Sequence, residues 1–435
     1  MKNLYKKISG AVDSLENEMI SFIQKLVRIP SLPGQEEEVQ EVIEDKLKEL
    51  KLEVTRFRSD INELKDHPAY CDDGIPPEKR ISVIGLWKAK NKIRNTGNNG
   101  NSLILNGHTD VVPPGREDLW QNSPWSGEIK NGKLYGRGSA DMKAGLTSGI
   151  YAVQVLNELG FTPWNDIIVE SVAGEESGGI GTLTTLVKGY LADAAIIMEP
   201  TGLNMCPVQA GAITFRIKVT GKSAHACKKH TGVSAIDIFY KILSAIYELE
   251  KDRHKNYSNP VFPDNENVAP ISFGTIKGGE WHSTVPDELI AEGRFGVFPG
   301  ESLKEAKKIL EYTINNVAKM DPWMKDHPTE IELFEGQFES GQTNLNDPLL
   351  KVLGNNHNKV TGKNINIEGV TYGSDLRLFT NYGKIPAVLY GPGNVTDAHA
   401  VNEHIDLQDV KLCTKVLACT IIDWCRGEWN IEQGR

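Results

Sequence analysis

Two hydrophobic rhythms divide the chain. In the first, apolar positions recur at helical spacing or in short unbroken runs. Met19, Ile20, Ile23, Leu26 and Val27 fall on one face of a helix that starts near Asp13, where Asp13-x-x-Glu16 has the spacing of a capping box. Val39, Val42, Ile43, Leu47 and Leu50 mark a second amphipathic helix after the turn Ser31-Leu32-Pro33-Gly34. The runs 81–86, 102–106, 167–172, 194–198 and 387–390 read as buried strands, with helices over 144–159 and 180–191 among them. This alternation predicts an α/β fold, a mainly parallel sheet covered by helices.

The second rhythm begins near residue 207. Ile213, Phe215, Ile217 and Val219 alternate with Thr214, Arg216, Lys218 and Thr220, the period of a strand solvated on one face. A helix over 233–249, strands over 271–276 and 288–297, a helix capped by Ser302-x-x-Glu305 and a short strand at 331–334 follow. The order βαββαβ predicts an α+β, ferredoxin-like domain. The first rhythm resumes after about residue 345 and ends in a helix over 407–425, so the second domain interrupts the first. We expect a discontinuous domain of residues 1–207 and 338–435, and an inserted domain of residues 208–337. The Asn- and Gly-rich stretch 91–101 is expected to form a surface hairpin.

A length of 435 residues agrees with two cores rather than one. The formal charge of -10 argues against a general nucleic-acid binder, which concentrates Lys and Arg for phosphates. No apolar run approaches the ~18 residues that a membrane helix needs. The N-terminal Met1-Lys2-Asn3-Leu4-Tyr5-Lys6-Lys7 has no apolar export segment. The cysteines (Cys71, Cys206, Cys227, Cys413, Cys419, Cys425) form no Cys-x-x-Cys pair. These features lead us to expect a cytoplasmic protein with free thiols.

Candidate chemistry gathers where predicted strands end, which is where α/β enzymes place their sites. His108 closes the run 102–106, with Asp110 two positions on. Asp141 follows the turn Gly136-Arg137-Gly138; Glu175-Glu176, Glu199 and His399 come later. Alone, each has an ordinary explanation: a satisfied structural histidine, a turn aspartate, solvated loop carboxylates. Together they form a donor set suited to zinc, with cobalt or manganese as substitutes. Five of them, His108, Asp141, one carboxylate of Glu175-Glu176, Glu199 and His399, already exceed one tetrahedral site, and two metal ions sharing a bridging carboxylate account for the surplus. Asp110 has the placement of a residue that orients a ligating histidine. In the doublet Glu175-Glu176 one carboxylate can bind metal while the other faces water. A phosphate cradle at Gly136-x-Gly138 lacks the third glycine and the lysine that such loops use.

Gly107-His108-Thr109-Asp110, Tyr135-Gly136-Arg137-Gly138 with Asp141-Met142-Lys143, Gly174-Glu175-Glu176, Met198-Glu199-Pro200, Ser223-Ala224-His225-Ala226 and His399-x-x-Asn402-Glu403 together resemble one family. It is the aminoacylase, acetylornithine deacetylase and succinyl-diaminopimelate desuccinylase family, which includes glutamate carboxypeptidase-type metallopeptidases. The resemblance runs from the first helix to the last. It implies a zinc-peptidase-like catalytic domain in which Asp141 bridges two metal ions, His108 and Glu199 complete one site, and Glu176 and His399 the other. It also implies that Asp110 orients His108, that Glu175 is the general base, and that the Asp141-Met142 bond is cis.

Family members dimerise through the inserted domain, so the resemblance implies a homodimer in which His225 reaches the partner's site and stabilises the oxyanion. Arg294 matches a substrate-carboxylate arginine. Where relatives carry an asparagine before a Val-Pro or Ile-Pro pair, this chain has His282 and Ser283 ahead of Val285-Pro286, and either is a candidate substrate contact. Gly373, Ser374, Asp375 and Arg377 match a loop beside the scissile bond. The implied substrate is a small N-acylated amine, with acetylornithine-like deacetylation first and desuccinylation, dipeptidase or carboxypeptidase action and deformylation as alternatives. A non-catalytic scaffold would show a broken donor set, and none is broken here.

Overall fold

The computed structural model describes residues 2–89, 101–262 and 264–429. All but the last residue of the expected hairpin at 91–101 lies outside them. Its centre is a nine-stranded sheet in the order Glu53–Arg58, Ile81–Trp87, Ile167–Val172, Leu103–His108, Ala195–Ile197, Ala387–Leu389, Met205–Gln209 and Gly341–Gln342, with Ile367–Val370 paired to Met205–Gln209. The four middle strands, from Ile167–Val172 to Ala387–Leu389, run parallel. Antiparallel strands flank them on both sides, so the sheet is mixed at its edges.

Unbroken apolar runs mark these middle strands because both faces are covered. Leu103, Leu105 and Val169 face a core shared with the helices Glu16–Val27, Ala144–Glu158 and Leu407–Cys425. Ile104 and Ile168 face the other way, onto Leu376 and Phe379. The N-terminal segment differs from expectation. It forms two helices, Lys2–Ser14 and Glu16–Val27, and the second has no side-chain cap. The Asp13 carboxylate instead takes Lys415 at 2.8 Å and that of Glu16 takes Lys411 at 2.8 Å. Asp13 lies inside the first helix and Leu15 precedes the second, so the expected capping box does not form.

The second rhythm forms a separate antiparallel sheet in the order Ile271–Gly278, Glu288–Val297, Gly211–Thr220 and Glu330–Phe338, the ferredoxin-like arrangement. Ile213, Phe215, Ile217 and Val219 pack with the helices Ala235–Lys255 and Leu303–Met320 in a core of their own. The Ser302–Glu305 capping box is formed. The chain enters this domain at Gly211 and leaves it beside Phe338, two crossings that lie in register. A Cβ on Gly211 would stand 2.3 Å from the Phe338 carbonyl oxygen, so the close crossing requires glycine there. No helix among the described residues is long and apolar enough to cross a membrane.

Candidate metal centre

His108 ends its strand at the carboxyl edge of the parallel sheet, opposite Val172, and Glu175 and Glu199 follow the ends of the two neighbouring strands. Parallel strands therefore deliver three of the site's side chains to one edge. His108 Nε2 lies 3.0 Å from Asp141 Oδ1 and 3.9 Å from both Glu175 Oε2 and Glu199 Oε1. The second oxygen of Asp141 lies 3.5 Å from His399 Nε2, which stands 3.1 Å from Glu176. Asp141 thus lies between two imidazoles, each of which faces a further glutamate.

The backbone around Asp141 is held from below. Glu403 accepts the N–H groups of Ala140 at 2.9 Å and Asp141 at 3.1 Å on one carboxylate oxygen. Its other oxygen takes Arg137 Nη1 at 2.6 Å, and both side chains of this pair are buried. The Asp141-Met142 peptide bond is cis. His399 sits in the left-handed region at φ 58°.

Asp110 acts differently from the sequence expectation. The group that accepts His108 Nδ1–H is the Asp110 backbone carbonyl at 2.9 Å, whereas the carboxylate stands at 3.7 Å. That carboxylate accepts the backbone N–H groups of Gly174, Glu175 and Glu176 at 2.8, 3.3 and 3.1 Å. One residue therefore fixes the imidazole tautomer and the loop that carries both glutamates. The same loop is gripped by Arg80 Nη2 on Ser177 Oγ at 2.8 Å and by Arg377 Nη2 on the Gly178 carbonyl at 2.7 Å.

Burial pushes the carboxyls of Glu175, Glu176 and Glu199 above the usual range, and neighbouring carboxylates add to it. For Asp141 burial acts the same way, but the hydrogen bonds with His108 and His399 outweigh it and hold the group low. Those bonds to Asp141 and Glu176 hold His399 up at about 10. Four carboxylates so close together are tolerable only with protons or cations between them. The ligand atoms of His108, Glu175 and Glu199, and those of His108, Asp141 and Glu176, each lie within 4.8 Å of one another. Imidazole nitrogen and carboxylate oxygen are the donors a borderline divalent cation takes, so these residues fit a metal centre.

A cavity of about 170 Å³ opens beside this cluster, and Gly373 and Tyr372 form part of its wall. Sequence reading singles out Gly373 and Ser374 and passes over Tyr372. The available signal is an aromatic ring with a polar tip next to the glycine of a site loop. Burial pushes the Tyr372 phenol well above its ordinary value, so it stays protonated. Ser374 is turned away from the cavity: its hydroxyl meets Gln209 Oε1 and it takes the Leu376 N–H at 3.2 Å. Asp375 accepts Thr182 Oγ1. Arg294 donates to the Thr371 carbonyl at 2.9 Å and so ties the inserted domain to this loop. His225 is exposed in a two-strand pairing with Thr284–Val285, and His282 and Ser283 precede that strand. None of the three is among the residues lining the cavity.

The chain matches the model of Peptidase family M20/M25/M40 over residues 104–423. It is 32% identical over 344 residues to the N-formyl-4-amino-5-aminomethyl-2-methylpyrimidine deformylase of Halalkalibacterium halodurans, covering 74% of this chain and 79% of that one. It is 25% identical over 342 residues to the acetylornithine deacetylase of Proteus mirabilis, covering 78% and 83%. Its fold matches that of the YXEP protein of Bacillus subtilis, a dinuclear metal binding peptidase, at a TM-score of 0.61 and 17% identity, over 96% of this chain and 100% of that one. The chain belongs to the M20/M25/M40 peptidase family. It is a hydrolase of amide-type C–N bonds.

Proposed function

We propose that this enzyme removes a small acyl group from an N-acylated amine, with two divalent metal ions, zinc in the first place and cobalt or manganese as substitutes. The observation that carries the reading is the convergence of His108, Asp141, Glu175, Glu176, Glu199 and His399 around one small cavity. Asp141 would bridge, His108 and Glu199 would complete one site, and Glu176 and His399 the other. Metal ions held there would polarise the scissile carbonyl and make hydroxide available near neutral pH.

The remaining steps belong to the chain. Glu175 takes a proton from the attacking water and passes it to the departing nitrogen, so that a C–O bond forms, the C–N bond breaks, and a carboxylic acid and an amine leave. A carboxyl that burial has made more basic is suited to accept that proton. Asp110 positions His108 through its carbonyl and Glu175 through its carboxylate. A cavity of about 170 Å³ favours a compact acyl group such as formyl or acetyl over a long peptide. The formyl group has added support in the 32% identity to a deformylase. Acetylornithine-like deacetylation remains the parallel reading, supported by the 25% identity to a deacetylase.

We read the inserted domain as the dimer interface, with His225 acting on the partner subunit's site. We also place the protein in the cytoplasm, where the buried thiols of Cys206, Cys413, Cys419 and Cys425 stay reduced. Purified, metal-loaded protein assayed for amine release from N-formyl, N-acetyl and N-succinyl amines and dipeptides tests the substrate class. Elemental analysis giving about two metal ions per chain, as a two-metal site requires, tests the centre. Activity that persists after chelation to zero metal would overturn the mechanism.

A further inference from the structure

The cavity beside the metal centre holds one group that the proposed chemistry leaves unused. Tyr372 lies in its wall with Asp141, Glu175, Glu199 and His399. Its ring packs against the apolar cluster that contains Cys206, Leu376 and Phe379, while its hydroxyl is buried with no hydrogen-bond partner among the described residues. Buried hydroxyls are nearly always paired, and an unpaired one at a binding cavity marks a place where a ligand supplies the acceptor.

The loop that carries Tyr372 is fixed on both sides of it. Thr371, just before it, is held by Arg294 at 2.9 Å. Ser374, two positions after it, is held by Gln209, whose Nε2 also donates to the Ser374 carbonyl at 3.1 Å. Gly373 between them is pressed against Phe338, where a Cβ would come within 2.5 Å. The loop is thus set before any ligand arrives, and a preset donor is what stabilises charge in a transition state.

The other polar groups lining the cavity are carboxylates, or an imidazole already committed to carboxylates. Attack on an acyl carbon moves negative charge onto the former carbonyl oxygen, which needs a neutral or positive donor and is repelled by carboxylates. We propose that Tyr372 is a catalytic residue whose phenolic O–H donates to the acyl oxygen of the substrate as it becomes an oxyanion. The donor comes from the same chain as the metal centre and acts alongside the one expected from His225 of the partner subunit. This inference rests on the amide-hydrolysis reading above, and its test separates the two.

The test compares the metal-loaded wild type with Tyr372→Phe, which keeps the ring and removes only the hydroxyl. The first readout is the binding of n-butylboronic acid by calorimetry, since this probe takes up hydroxide to become a tetrahedral anion without any turnover. The variant is expected to bind it about tenfold to a hundredfold more weakly, with metal content and thermal midpoint unchanged. The second readout is hydrolysis of the best panel substrate, where kcat is expected to fall about 10²–10³-fold with KM little changed. Equal boronate affinity in the two proteins, or a wild type that binds none, overturns the role of Tyr372. A rise in KM alone also overturns it and makes the phenol a ground-state contact. Tyr372-dependent boronate binding in a protein that hydrolyses no panel compound leaves Tyr372 as an oxyanion donor and removes the substrate reading instead.

Discussion

Glu403 and Asp141 are joined through the backbone: one Glu403 oxygen accepts the Asp141 N–H at 3.1 Å while the other is paired with Arg137 at 2.6 Å. The link ties the segment after His399 to the turn before the helix Ala144–Glu158, two parts of the metal centre far apart in sequence. Replacing Glu403 by Ala leaves Arg137 buried without its counter-charge and two peptide N–H groups unpaired. The expected cost in unfolding free energy is about 3–5 kcal/mol. Metal affinity is expected to fall about 10–100-fold, because Asp141 loses its support. Denaturant unfolding and competitive metal titration measure the two effects. A variant with wild-type metal affinity would show that Glu403 serves the fold alone.

The gathering of the candidate ligands at one sheet edge is legible because parallel strands end where chemistry sits. His108, Glu175 and Glu199 follow apolar runs that both faces of the sheet require, so their positions could be read from hydrophobic pattern. The inserted domain was legible for the opposite reason, the strict alternation from Ile213 to Val219. Short strands such as Gly341–Gln342 and Ile367–Val370 were not, since pairing to Met205–Gln209 rather than local pattern makes them strands. Asp110 was placed beside His108 by spacing, but spacing cannot tell a carbonyl from a carboxylate as the group that holds the ring. Ser374 was misread for a similar reason: the loop bordering the cavity is clear, whereas the direction of each side chain depends on Gln209, from a distant strand.

Glu175→Gln separates proton transfer from metal binding. The amide keeps the size of the side chain and its place in the loop held by the Asp110 carboxylate, but it accepts no proton. A fall in kcat of about 10²–10⁴-fold is expected, with metal content still near that of the wild type. Loss of metal in this variant would move Glu175 from base to ligand, which its 3.9 Å distance from His108 makes a fair alternative. Asp141→Ala, by contrast, is expected to lose metal outright.

A buried acid away from the centre sets a pH dependence of stability. Glu170, on the strand Ile167–Val172, accepts from Asn106 Nδ2 at 2.9 Å, and burial raises its carboxyl from 4.5 to about 8. The folded state therefore holds a proton that the unfolded chain releases near pH 4.5. The stabilisation this group provides is complete below that pH and is lost as pH rises through about 8. Within this window its contribution falls by up to about 1.4 kcal/mol per pH unit. Unfolding free energies measured from pH 5 to 8 should drop more steeply for the wild type than for Glu170→Gln, which cannot ionise. Parallel curves would mean that Glu170 is charged in the folded protein and balanced by a neighbour.

His225 and Glu175 belong to different halves of one reaction if the inserted domain carries His225 to the partner subunit. On its own chain His225 is exposed, its Nδ1 takes the Cys227 N–H at 3.2 Å, and it lies outside the cavity wall. His225→Ala is expected to lower kcat about 10²–10³-fold without loss of metal, as removal of an oxyanion donor does. The pairing follows from mixing. A dimer of one His225→Ala chain and one Glu175→Gln chain contains one site with both Glu175 and the partner's His225, and one site with neither. Unfolding and refolding the two variants together should therefore restore activity that neither has alone. Refolding each separately and then combining them should restore less, because subunits must exchange first. If the co-refolded mixture stays inactive while wild type treated the same way recovers, His225 acts on its own chain or only on the fold.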